Sequence, residues 1–221
     1  MSRFEVLNLF SLDSSLSNKV YLSLREAIIK GELNVGERLL VRDIAEHFSI
    51  SQAPVREALE RLKQEDLVIS KPNKGSMVSD VKIEEIEEIY ELRRLIESYA
   101  VEKTLRTINE ANISYLKSLY IGMKEAAEIN DIYKLISLDI KFHSFFYENC
   151  NNLVILEIWN KIKVKIMRFT AKTNTVYFPD LDTVADTHIV LIEAIEKGEE
   201  REIKELFLKH MNEVWWRIKN N

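Results

Sequence analysis

The chain has 221 residues, a formal net charge of −5, 46% hydrophobic and 30% charged residues. That is length enough for two modest cores with an ordinary globular composition. The charge excludes indiscriminate coating of nucleic acid, the single Cys150 excludes an internal disulfide, and no run of eighteen apolar residues exists to span a membrane. Five glycines and three prolines favour long helices over a turn-rich sheet, and the opening MSRFEVLNLFSLDSS has neither a sustained apolar stretch nor a small-residue cleavage site, so the expected location is the cytoplasm.

In chain order, residues 1–16 read as an N-terminal extension without an assignable role. SNKVYLSLREAIIK (17–30) places Val20, Leu24, Ala27 and Ile28 on one helical face, with Gly31 as its stop. VRDIAEHF (41–48) makes a second short helix. Ser51 then caps a third, whose first turn tolerates Pro54 because that N–H would be unpaired anyway. Val55, Leu59 and Leu62 are its inward positions. Two helices joined by the tight turn SIS match a helix-turn-helix, whose second helix enters the major groove by its N-terminal end. LVISKPNKGSMV continues as a small hairpin around a turn-forming segment, a wing that carries Lys71 and Lys74. Helix-turn-helix geometry also occurs in proteins that never touch DNA, and Glu57, Glu60, Glu65 and Asp66 interrupt any basic stripe, so patterning alone leaves DNA binding open.

Beyond a boundary near residues 78–82, Gly and Pro nearly vanish, and about six amphipathic helices are expected over 83–106, 109–129, 131–149, 152–173, 181–197 and 199–219. The fold class is therefore mainly α: an N-terminal winged helix-turn-helix (17–79) and a C-terminal all-α six-helix bundle (80–221). Three of the four histidines point inward from three of these helices. His143 sits with Ile140, Phe146 and Tyr147, His188 with Val184, Leu191 and Ile192, and His210 with Leu206, Phe207 and Val214. Asp139 shares the face of His143, four residues away. A lone inward histidine is usually a satisfied core residue, and an Asp–His pair at this spacing is usually a local ion pair. Three such rings with a carboxylate suit a divalent ion instead, whether Zn, Ni, Mn, Co or Fe, because burying them without partners costs a few kcal/mol.

The stretch from KVYLSLREAIIKGELNVGERL through SQAPVREALERLKQEDLV to KPNKGSMV resembles the N-terminal domain of GntR-family bacterial transcription regulators, without a gap. That resemblance implies binding to a double-stranded DNA operator, with contacts from Arg42, Ser51, Gln52, Arg56 and the wing residues Lys74 and Gly75. Many relatives carry a basic residue at the position of Gln52, and Thr or Ser at that of Ala53. The C-terminal half resembles the FCD domain of the FadR subfamily, on its VanR-like branch. YELRRLIE (90–97) is similar to the opening helix of that domain, and Asp139, His143, His188 and His210 match its metal-binding pattern. The resemblance implies a homodimer that responds to a small carboxylate effector held near the metal. Arg93 is a candidate anchor for that anion and Arg168 a weaker one; both are open to a surface ion pair instead, the reading favoured for Arg168. A metal-dependent enzyme is the rival reading, without an obvious general base since Ile140, Lys141 and Phe142 separate Asp139 from His143. A direct metal sensor is the third.

Overall fold

The structure is a computed structural model that describes Leu7 and residues 15–72, 74–80, 82–177 and 181–219, with the backbone alone for 172–177 and 214–219. The expected extension 1–16 thus lies largely outside the described residues. The chain divides into two compact units, Met1–Val81 and Lys82–Asn221.

In the first unit, α1 (Leu16–Lys30), α2 (Val41–His47) and α3 (Gln52–Gln64) precede a hairpin of β1 (Val68–Lys71) and β2 (Gly75–Val78). The side chain of Ser15 accepts from the Asn18 amide at the start of α1. Gly31, at φ +76°, donates to the carbonyls of Ala27 and Ile28 and closes the helix left-handed, a conformation that costs other residues a Cβ clash. The apolar faces read from the sequence form the core: Val20, Leu24, Ile44, Val55 and Leu62 are fully buried. α1 packs chiefly on α3. A polar clamp secures that contact, in which the Tyr21 hydroxyl donates to Glu65, Arg25 Nε donates to Glu65 at 3.0 Å, and the Arg61 guanidinium lies 3.7 Å from the Tyr21 ring centre. Burial and the Glu65 carboxylate push the Tyr21 hydroxyl up to about 12. The hairpin is antiparallel with Val68 opposite Val78 and Lys71 opposite Gly75, and Arg38 Nε donates to the Lys74 carbonyl at its tip, 3.0 Å away.

The second unit is helical: α4 (Ile83–Leu105), α5 (Glu110–Glu128), α6 (Ile132–Asn149), α7 (Leu153–Tyr177), α8 (Leu181–Lys197) and α9 (Glu200–Lys219). The expected spans hold to within two residues except at the end of α7, which runs on to Tyr177. Asn109 and Asn112 form a reciprocal capping box at the start of α5, and Gly198 at φ +77° makes the tight joint between α8 and α9. α6 is the axis of the unit, packed against α4, α5 and α7. It therefore buries residues on several faces, among them Ile136, Ile140, Phe142 and Phe146. Phe142, Phe146 and Phe207 pack edge-on and stacked, with ring centres 4.9–6.5 Å apart, and Tyr147 stacks on Trp159 at 4.3 Å. Each such fully buried aromatic contributes about 1.5–3 kcal/mol of transfer free energy. No helix among the described residues is long and apolar enough to cross a membrane.

Candidate metal centre and operator-facing surface

A helix whose surroundings are packed on several sides must place any polar side chain against another element. Asp139 and His143 stand one turn apart on α6, α8 brings His188 and α9 brings His210. The four offer ligand atoms that all lie within 4.8 Å of one another. His188 Nε2 is 3.0 Å from Asp139 Oδ1, His143 Nε2 is 3.2 Å from His210 Nε2, and His143 Nε2 is 3.8 Å from Asp139 Oδ1. Such spacings bracket neighbouring positions around one ion with bonds of about 2.0–2.2 Å.

The hydrogen bonds on the far side of two rings dictate where their lone pairs point. His143 Nδ1 lies 2.5 Å from Glu97 Oε1, and His188 Nδ1 lies 3.1 Å from the Val184 carbonyl. Both partners can only accept, so each Nδ1 carries a proton, and in the neutral ring each Nε2 turns its lone pair into the cluster. The buried Nε2 of His188 has no hydrogen-bond partner, although the Asp139 oxygen is close. At 3.0 Å the pair is satisfied either by a proton on Nε2 or by a cation bound to both atoms. Burial alone would push the Asp139 carboxyl up, but His188, His143 and Arg93 hold it well below the usual carboxylate range. Burial, with His188 and His143 nearby, pushes the His210 imidazole well below its ordinary value. An ionised carboxylate and a neutral imidazole are the forms a metal takes. The donor set thus fits a divalent transition ion.

Beside the cluster is a cavity of about 30 Å³, lined by Tyr90, Arg93, Thr170, Thr187 and Glu213 together with Asp139, His143 and His210. Arg93 is 4% exposed. Its Nε donates to Glu97 Oε2 at 2.7 Å, and its buried Nη2 has no hydrogen-bond partner. Arg168 is also buried rather than on the surface, and it is not among the residues lining the cavity. The sequence reasoning missed Glu97, whose i, i+4 spacing from Arg93 in RRLIE was the available signal.

In the first unit, Arg42, Ser51, Gln52, Arg56, Lys74 and Gly75 are all exposed. Ser51 occupies the N-cap of α3 without a side-chain cap bond, Gln52 and Arg56 follow on the first turns, and Arg56 Nη2 donates to Gln52 Oε1 at 3.1 Å. His47 belongs to this first unit, its Nε2 donating to the Leu7 carbonyl at 2.9 Å.

A winged helix-turn-helix with polar groups at the open end of its recognition helix, followed by a helical bundle, defines a DNA-binding regulator of two-part design. Residues 16–78 match the bacterial regulatory proteins of the gntR family, and residues 88–213 match the FCD domain. The chain belongs to the GntR family, as a transcriptional regulator with a C-terminal FCD domain. It is 28% identical over 205 residues to the gluconate operon transcriptional repressor of Bacillus licheniformis, spanning 90% of this chain and 82% of that protein. It is 24% identical over 193 residues to the HTH-type transcriptional regulator YdhC of Bacillus subtilis, spanning 87% and 86%. Among solved structures, E. coli McbR/YncC superimposes with a TM-score of 0.77 at 21% identity, covering 93% of this chain and 98% of that one, and shows the shared fold. The relatives are named as regulators and repressors, in agreement with a non-enzyme.

Proposed function

We propose that this regulator acts in the cytoplasm as a homodimer on a double-stranded operator, and that a small carboxylate effector beside a divalent metal controls its binding. Asp139, His143, His188 and His210 would hold the ion, which when bound supplies a Lewis-acidic position for an effector oxygen. The observation that carries the proposal is that Arg93, whose buried Nη2 has no hydrogen-bond partner, lines the same small cavity as the donor cluster. An unsatisfied buried guanidinium nitrogen costs free energy that an anion would recover. Thr170 and Thr187 add hydroxyls to the same wall. Two similar proteins are named for a gluconate operon, and gluconate is itself a carboxylate. Arg168, away from the cavity, has no part in this scheme.

On the DNA side, Arg56 and Gln52 would reach base edges from the start of α3, where Arg pairs with guanine and Gln with adenine. Arg42, Ser51, Lys74 and Gly75 would hold phosphates. An effector changes operator affinity only by binding two states of the dimer differently. The test is a titration of operator binding by fluorescence anisotropy, with small carboxylates and divalent metal varied independently. A response to acid only when metal is present supports the proposal. A response to metal alone would make the protein a direct metal sensor, and no response to any acid would remove the effector.

A further inference from the structure

Glu97 is a carboxylate that the DNA-binding and ligand-binding roles above leave unused. It is fully buried on α4, and its two oxygens divide their work. Oε2 accepts from Arg93 Nε at 2.7 Å and from the Tyr147 hydroxyl at 3.0 Å, whereas Oε1 is given to His143 Nδ1 at 2.5 Å. Each of the three partners is itself buried. A core ion pair needs only Arg93. The third contact points the carboxylate at the outer nitrogen of a ring whose inner nitrogen faces the donor cluster.

We propose that Glu97 is the positioning residue of the centre: it fixes His143 as the Nδ1–H tautomer and so presents the Nε2 lone pair to the ion. The proposal rests on the metal reading above. Without an acceptor at Nδ1, the ring could carry its proton on Nε2, where it would block ligation, and could rotate about its last torsion. Carboxylates placed behind ligating histidines commonly tune affinity 10- to 100-fold. Arg93 and Tyr147 keep Glu97 in place, so the anchor on the cavity wall and the metal ligand share one carboxylate.

Glutamine at this position cannot serve both sides. With its oxygen toward His143, its amide N–H groups meet the donors of Arg93 and Tyr147. With its oxygen toward Arg93, an N–H meets His143 Nδ1, and the imidazole proton moves to Nε2.

The deciding experiment uses the full-length protein with ¹⁵N-labelled histidine, and His143→Asn to assign the ring. Metal-free wild type should show His143 protonated at Nδ1, a result that needs no metal. Glu97→Gln should shift the ring to the Nε2–H tautomer and weaken Co²⁺ binding, followed by its visible spectrum, by 10- to 100-fold. His47→Ala, whose ring lies in the first unit and bonds the Leu7 carbonyl, should leave both the His143 tautomer and Co²⁺ affinity as in wild type. An Nε2–H tautomer in metal-free wild type overturns the proposal, as does Glu97→Gln with unchanged tautomer and Co²⁺ affinity within twofold. Wild type that binds no Co²⁺ while keeping the Nδ1–H form would sink the metal reading and leave the positioning of His143 standing.

Discussion

Asp139 and His143 share one face of α6, yet Asp139 Oδ1 and His143 Nε2 are 3.8 Å apart, beyond hydrogen-bond reach. The ring spends its outer nitrogen on Glu97 and the carboxylate approaches His188 instead. The two therefore share no direct hydrogen bond. They are neighbours aimed at a shared point, as two ligands of one ion should be.

Removal of one ligand is the first check. His188→Ala should weaken metal binding and abolish the effect of chelator on the melting temperature. In wild type, metal at a hundredfold excess over its dissociation constant should add about 2.7 kcal/mol by mass action, which calorimetry with and without chelator reads. His47→Ala, in the other unit, should leave metal affinity unchanged. Equal chelator sensitivity in wild type and His188→Ala would return His188 to the core.

Acid should destabilise the metal-free protein in two stages. Because the folded His210 imidazole sits below its ordinary value, the unfolded chain takes up a proton below about pH 6.5 that the folded one refuses. Stability thus starts to fall there. Asp139 and Glu97 are held low, Glu97 despite its burial by Arg93 and His143. Their contribution is complete above about pH 4 and is lost as pH falls further. Urea midpoints from pH 8 to about 2 read both stages, and a flat profile between pH 7.5 and 5 would mean His210 is not held neutral.

Arg56→Ala should cost about 1–3 kcal/mol at the operator and blur base preference. Lys74→Ala should weaken all sequences alike and reduce the salt slope by about 1. Because Arg38 steadies the wing through the Lys74 carbonyl, Arg38→Ala should move in the same direction as Lys74→Ala. Anisotropy against operator and scrambled DNA over a salt series measures all three, and unchanged selectivity in Arg56→Ala would refute the docking proposed for α3.

The outer face of α4 exposes Leu92, Leu95 and Tyr99, with Leu95 at 73%. Operators read by winged helices are two-fold, and a dimer needs an apolar contact of its own. Leu95→Asp should shift full-length protein toward monomer in sedimentation velocity while leaving its helical circular dichroism intact. A dimer unaffected by this change would place the contact on another face.

Element positions were legible in the sequence because periodicity and caps act locally: Gly31, Ser51 and Gly198 end or begin helices where they stand. The donors were legible too, since three histidines on apolar faces can only converge or be wasted. Glu97 was not. It lies on α4, forty-six residues from its partner, and only packing brings the two helices together. Arg168 misled for the opposite reason, since a basic side chain between apolar neighbours reads as exposed unless its burial is known.

The donors of the cluster come from α6, α8 and α9, so it exists only once the later helices have closed onto the earlier one. Contacts between such distant stretches of chain form late, after the cost of loop closure has been met. An ion bound there would be missing from the folding barrier. It would slow unfolding rather than hasten folding, and lengthen the lifetime of the native protein before a protease meets an opened chain. Metal supply would then set how long each copy of the regulator persists, as well as what it can bind.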